Sequence, residues 1–157
     1  MAIACGVAAG GAATLFAWWE WLRCASAETK DTRRLGLQGT HIRAGPFAVF
    51  MRVPARPRSE AASVLLPAVL VHGLVVSSRM VEPLAGALAR CGLHVLAPDL
   101  PGFGESTKPP RPLGLTGLAA ALALWLRASG IPRAIFVGAS FGCHVIVELA
   151  LRHPAIG

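Results

Sequence analysis

Charge is scarce in this sequence: Asp, Glu, Lys and Arg make up 15% of the 157 residues, and only eight of them are acidic. With 54% hydrophobic residues beside so little charge, a disordered tail and a collagen-like chain are both excluded. The length allows one domain, or one domain with a terminal appendage. Fifteen Lys and Arg give a net charge of +7, yet Arg33-Arg34 is their only adjacent pair. Lacking a basic stripe or an aromatic ladder, that excess describes a solvated surface, and no nucleic acid is expected as a partner. Cysteine is sparse as well. Cys5, Cys24, Cys91 and Cys143 show neither C-x-x-C spacing nor a compact disulfide framework, so a structural metal site is not expected. Reduced, partly buried thiols are the expectation, with Cys143 in a run that reads as buried helix. Repeats and low-complexity tracts are missing too.

Charge is wholly absent from residues 2–19. As a helix that segment would be about 27 Å long, close to the ~30 Å of a bilayer core. Ala2, Gly6 and Gly10 recur every four residues, the small-residue spacing that lets membrane helices approach closely. Trp18, Trp19 and Trp21 follow, and then Arg23, Lys30, Arg33 and Arg34. An aromatic belt facing a basic side predicts a membrane anchor that leaves the rest of the chain cytoplasmic. Two alternatives stay open. Ala25-Ser26-Ala27 resembles a signal-peptidase site, which would make the protein secreted, and a misassigned start would make residues 1–25 a non-native extension of a cytoplasmic protein. The expected organisation is a hydrophobic helix over 1–25, a polar linker over 26–37 and a folded domain over 38–157.

Beyond the linker, short apolar runs alternate with segments of helical length. Thr40 to Arg43 and Phe47 to Val53 read as strands joined at Gly45-Pro46, and residues 54–63 as an exposed loop. Ala68 to Val71, Leu93 to Ala97 and Ala134 to Val137 read as further strands. Ser78 is placed to cap a helix reaching Arg90, with Met80, Val81, Leu84, Ala85 and Leu88 on its apolar face. Thr116 to Ala128 and Phe141 to Arg152 complete the helices. Strands alternating with helices predict an α/β fold with a mostly parallel sheet.

Three motifs fall at the carboxyl ends of successive strands, where open α/β sheets place their ligands. Gly138-Ala139-Ser140-Phe141-Gly142 is a G-x-S-x-G between strand and helix. The glycines give a strained serine turn room, and the helix N-terminus behind it favours a developing oxyanion. His72-Gly73-Leu74 forms a sharp turn whose backbone N–H, that of Leu74, can be a second oxyanion donor. In Asp99-Leu100-Pro101-Gly102-Phe103-Gly104-Glu105-Ser106, Gly102 and Gly104 permit a tight loop and Asp99 can accept its N–H bonds. A structural role is expected for Asp99. His72 has two readings, a turn histidine satisfied by backbone and a catalytic base.

Over residues 38–156 these motifs resemble the α/β-hydrolase family, in particular its serine esterases and carbon–carbon-bond hydrolases. That resemblance implies Ser140 as nucleophile, the N–H groups of Phe141 and Leu74 as oxyanion hole, an ester or related acyl small molecule as substrate, and no metal or cofactor. A serine there also argues against the epoxide-hydrolase and haloalkane-dehalogenase branches, which use Asp. The family triad continues from Ser to an acid and then a His. After Ser140 the sequence offers only Glu148, His144 and His153, all on the helix leaving the elbow, and Glu148 lies about 12 Å along its axis. Both usual partners are therefore expected to be missing from this chain. Asp99, His72 and Ser140 lined up on adjacent strands would be an internal substitute. The alternative function is a non-catalytic truncated product, or a half-domain that docks on another polypeptide.

Overall fold

The computed structural model describes residues 35–55 and 66–156. Its first two strands, β1 (Leu37–Ala44) and β2 (Phe47–Pro54), form a hairpin that pairs Ala44 with Phe47 and Leu37 with Pro54. The loop between them is Gly45-Pro46, and a connection that short joins only antiparallel strands. β3 (Ala68–Val71), β4 (Val95–Pro98) and β5 (Ile135–Gly138) complete a five-stranded sheet in the order β1-β2-β4-β3-β5.

The sheet is mixed rather than mostly parallel. β3 runs parallel to β4 and to β5, whereas β2 pairs antiparallel with both β1 and β4. The two-residue hairpin turn fixes β1 antiparallel to β2, and β2 enters the sheet antiparallel to β4.

Strand alternation distributes the core. Val69 and Val71 of β3, with Leu96 of β4, join the cluster under α2 (Leu115–Ala128) and α3 (Phe141–Arg152). Their neighbours Ala68, Leu70, Val95 and Ala97 point to the opposite face, where Val81 and Ala85 cover them. Helices on both faces explain why the central strands are apolar at every position. Trp125, Leu122 and Leu126 of α2 are buried against Val145 and Leu149 of α3.

The helix α1 (Glu82–Arg90) departs from the expected register. A 3-10 turn over Ser78–Val81 precedes it, capped by Ser77, whose side chain accepts from the Arg79 N–H. Ser78 is instead buried. A tighter turn of three residues changes the angular advance, so the buried face begins Val81, Glu82, Ala85, Gly86 and leaves Met80 and Leu84 exposed. Cys143 is a second correction. The inward stripe of α3 is Gly142, Val145 and Leu149, which turns Cys143 outward, exposed and reduced, with Sγ 3.1 Å from the Gly138 carbonyl. Cys91 is exposed and reduced as well.

Among the described residues no helix is long and apolar enough to cross a membrane. The expected hydrophobic helix over 1–25 lies outside the described residues, as do Cys5 and Cys24.

Candidate active site

The loops leaving β3, β4 and β5 meet at one end of the sheet, and the elbow after β5 is the most constrained of them. Its Ala139 N–H donates to the Val71 carbonyl at 2.9 Å, extending the β3–β5 ladder to the residue before Ser140. Helix α3 then starts at once, because the N–H groups of Gly142 and Cys143 return to the carbonyls of Ala139 and Ser140. Packing is so close that a Cβ on Gly138 would lie 2.6 Å from the Cys143 nitrogen, and one on Gly142 would lie 2.7 Å from the His72 carbonyl oxygen. Glycine is the only residue that fits either place.

Ser140 absorbs the bend. Its backbone sits at φ 52°, ψ −116°, a region that costs a non-glycine residue roughly 1–3 kcal/mol. An ordinary N-cap serine has extended backbone and turns its hydroxyl onto the helix; here no such bond forms, and the side chain stands exposed. Among the described residues, neither the Phe141 N–H nor the Leu74 N–H enters a turn or loop hydrogen bond. The two loops also touch: the place a Cβ on Gly73 would occupy is 3.5 Å from Ser140 Cβ. The β3 turn is therefore packed directly beside the serine.

His72 is fully buried and has both ring nitrogens engaged. Nε2 accepts the Leu100 N–H at 3.0 Å, so the ring proton must reside on Nδ1, which donates to the Gly73 carbonyl at 2.7 Å. No lone pair remains for a substrate proton, and this geometry counts against the internal Asp99–His72–Ser140 arrangement. Among the described residues no histidine hydrogen-bonds to Ser140. Burial lowers the His72 pKa below its ordinary value, against the smaller raising effects of the Gly73 carbonyl and the Asp99 charge. As pH falls below about 6.5 the unfolded chain binds a proton that the folded chain refuses, and stability is lost. Unfolding free energy should fall by up to about 1.4 kcal/mol per pH unit between pH 6.5 and the lowered folded value. Denaturant titrations at pH 7.5 to 5 measure it; a slope no smaller in His72→Gln would assign the effect elsewhere.

Asp99 is buried and accepts two backbone bonds, from Ser78 N–H at 2.7 Å and Glu105 N–H at 2.7 Å. Ser106 Oγ donates to the Asp99 carbonyl at 2.6 Å and accepts the Phe50 N–H at 2.8 Å. Lys108 closes the same loop, its Nζ donating to the carbonyls of Phe103, Gly104 and Ser106 at 2.6–2.9 Å. A side chain on Gly104 would collide with the Asp99 carboxylate.

Sequence reading missed the cluster beneath these loops. Arg52, 2% exposed, donates through Nε to Glu82 and through a terminal nitrogen to Ser78 Oγ, and it lies 3.8 Å from Asp99 and 3.5 Å from Glu105. Its guanidinium also stands 4.8 Å from the Phe50 ring centre. One visible signal was an arginine inside the apolar run Phe47–Pro54; its partners were not visible, because they come from other elements.

The remaining candidates are engaged elsewhere. Glu148 accepts from Thr116 Oγ1 at 2.7 Å and from Arg152, and the Thr116 bond first, then Arg152, holds its pKa low. His144 is exposed and stacks on Phe141 with ring centres 6.0 Å apart. Between the β3 and β4 loops runs an open cleft of about 490 Å³, lined by Val75, Val76, Ser77, Gly102, Phe103 and Gly104.

The chain is similar to known proteins. Over 88 residues the chain is 36% identical to a protein named non-heme haloperoxidase from Mycobacterium phage D29, covering 56% of this chain and 32% of that one. It is 36% identical over 70 residues to bifunctional epoxide hydrolase 2 of Rattus norvegicus, covering 43% of this chain and 13% of the other. A crystal structure described as a membrane phospholipase A, a bacterial virulence factor, superposes with a TM-score of 0.70 at 27% identity, over 92% of this chain and 45% of its own. The chain spans less than half the length of each of these relatives. Residues 67–156, which hold all three loops, match the family described as alpha/beta hydrolase fold, and the chain belongs to that family.

Proposed function

We propose that this chain carries the nucleophile and oxyanion hole of a serine hydrolase acting on a carboxylic ester or related acyl small molecule. The strained, uncapped Ser140 is the observation that supports it most. In this reading Ser140 Oγ attacks the carbonyl carbon, and the carbonyl oxygen takes the electron pair between the N–H groups of Phe141 and Leu74. Collapse of the tetrahedral intermediate expels the alcohol and leaves an acyl-serine, which water then hydrolyses. A base must take the serine proton and return it to the leaving group. His72, with both nitrogens engaged, is not that base, and among the described residues no histidine hydrogen-bonds to Ser140, so in this reading another group supplies it. Serine at the elbow also separates this chain from relatives of the epoxide-hydrolase type, for which the family resemblance implies Asp.

The chain alone is expected to show at most trace turnover, because loss of a triad member leaves about 10³–10⁴-fold catalysis over water from the oxyanion hole and binding. An activated aryl acetate should nevertheless acylate Ser140 slowly. Peptide mass mapping finds the acetyl group on Ser140 if the reading is right, and its absence from Ser140→Ala completes the test. Acetylation spread equally over both proteins would refute the nucleophile. A second reading, a half-domain that docks on another polypeptide, is favoured by the outer strand β5, where Ile135 is half exposed. Mixing with a polypeptide that supplies the base should then raise turnover, and the gain must vanish in Ser140→Ala.

We further propose that residues 2–22 hold the chain at a membrane with Arg23 on the cytoplasmic side, on the strength of the uncharged run, tryptophans and basic residues in its sequence. The protein should resist alkaline carbonate extraction and remain open to protease from the cytoplasmic side. Release as a soluble product beginning at Glu28 would replace the anchor by a cleaved signal.

A further inference from the structure

The side chain of Lys108 is exposed, yet its charge is spent on backbone. Nζ donates to the carbonyls of Phe103, Gly104 and Ser106 at 2.8, 2.6 and 2.9 Å, and an ammonium has three donors, so each of them is used. Among the described residues Lys108 enters no ion pair. Three carbonyl oxygens converging on one cation is the environment of a bound monovalent ion, here supplied by the loop's own chain. Holding a long side chain in one geometry costs rotamer freedom, and short charge-assisted bonds offset that cost.

Two of the three carbonyls belong to the residues through which the β4 loop touches the β3 loop. Phe103 rests edge-on against His72 with ring centres 5.3 Å apart, and the place a Cβ on Gly104 would occupy is 2.8 Å from Ser77 Cβ. His72 and Ser77 bracket residues 73–76, the turn that carries the Leu74 N–H. Gly73 abuts the elbow, its Cβ place lying 3.3 Å from the Ala139 carbonyl oxygen and 3.5 Å from Ser140 Cβ. Beyond Gly73 the turn has little hold of its own. Leu74 is 55% exposed and Val75 85%, so neither side chain packs it down. Val75 also sits at φ 62°, a region in which a β-branched residue persists only where its surroundings impose it. The direction of the Leu74 N–H is therefore set from the ends of the turn, and both ends contact residues that Lys108 holds.

We infer that Lys108 is a positioning residue for the proposed oxyanion hole: a tethered cation that fixes the β4 loop and, through Phe103 and Gly104, fixes the turn presenting the Leu74 N–H beside Ser140. The inference rests on the hydrolase reading of Ser140 and adds to it a residue outside all three sequence motifs. Lys108 is in contact with neither the serine nor a substrate. Its loss therefore acts on the rate of acylation rather than on ester binding.

Lys108→Ala in the full chain removes the ammonium and leaves its space open, so that n-propylammonium, which matches the deleted atoms, can occupy it. The rate constant for acylation of Ser140 by an activated aryl acetate should fall roughly 10- to 100-fold, with the half-saturating ester concentration unchanged within about twofold, because an oxyanion donor acts on the transition state. The NMR resonance of the Leu74 amide should move as well. Propylammonium should restore most of both. Tetramethylammonium at the same ionic strength, equally charged but without an N–H donor, should restore neither, and the parent should respond to neither salt. A loop that loosens while the Leu74 amide and the acylation rate keep their parental values overturns the inference, as does equal rescue by the two cations. If Lys108→Ala does not fold, Phe103→Leu carries the test, since it keeps the ammonium and takes the ring away from His72. An unmoved Leu74 amide with a parental acylation rate in that variant is then the overturning result. Should the parent itself never be acylated at Ser140, the hydrolase reading fails, and the Leu74 amide with its selective rescue still decides whether Lys108 sets the turn.

Discussion

Replacing Gly142 by alanine is expected to leave no cooperatively folded protein. The added methyl would sit 2.7 Å from the His72 carbonyl oxygen and closer still to that of Val71, both backbone atoms of the central strand and its turn. Neither oxygen can retreat. His72 is held in place through its own ring, Val71 accepts the Ala139 N–H, and α3 is fixed from behind by Val145 and Leu149 in the core. Relief requires lifting the start of α3 off the sheet, which opens the main cluster, so the cost should exceed the roughly 1–3 kcal/mol typical of overpacking and pass about 4 kcal/mol. That is a large part of the roughly 5–15 kcal/mol available to a domain. Gly92→Ala is the control. Gly92, unlike Gly142, has a positive φ, 86°, but open space lies around it, so the cost should stay near 1–2 kcal/mol. Denaturant unfolding followed by circular dichroism compares the two; a Gly142→Ala protein within about 1 kcal/mol of the parent would mean that the elbow is far looser than its geometry.

How much of this was readable in advance depended on how local each feature is. The elbow spans five consecutive residues, and its strand–turn–helix context is set by flanking apolar runs, so Ser140 and its two glycines stand out from the sequence. The same locality placed β3 at Ala68–Val71 and α3 at Phe141–Arg152. Faces were harder. Met80 and Leu84 read as buried under a uniform helical period, and a single 3-10 turn rotated them into solvent while bringing Glu82 inward. The sense of the strands failed for a related reason: β–α alternation announces parallel crossovers, but the hairpin turn at Gly45-Pro46 reverses β2 within the same sheet. Least legible was the polar interior. Arg52 and Glu82 are 30 residues apart, and nothing in either neighbourhood names the other. Buried charges are legible in a sequence only as exceptions to an apolar pattern, and their pairing is decided by topology.

That pairing yields the other large expected effect. Arg52→Met should cost about 3–5 kcal/mol, because it takes the guanidinium away from two buried carboxylates rather than merely removing a bond. Glu82 and Asp99 are both fully buried, and Arg52 is the cation that bonds the first and lies 3.8 Å from the second. The substitution keeps the apolar length of the side chain, so packing loss is small and the result reports on charge. Glu82→Gln alone should also destabilise. Combined with Arg52→Met it should recover part of the loss, a coupling of about 1–3 kcal/mol in a double-mutant cycle, since one of the two buried negative charges has been removed. High salt should change little, because the pair lies beyond the reach of solvent ions. Damage should extend to the candidate site as well. Through Ser78 and Asp99 the guanidinium connects β2 to the loops after β3 and β4, and those loops are the two walls of the cleft. Hydrogen exchange in Arg52→Met should therefore quicken at Ser78 and Glu105, whose N–H groups both donate to Asp99, before it quickens in α2. Additive single-mutant costs, with exchange at those two amides unchanged, would show that the cluster is a bystander and that the loops are held by their backbone bonds alone.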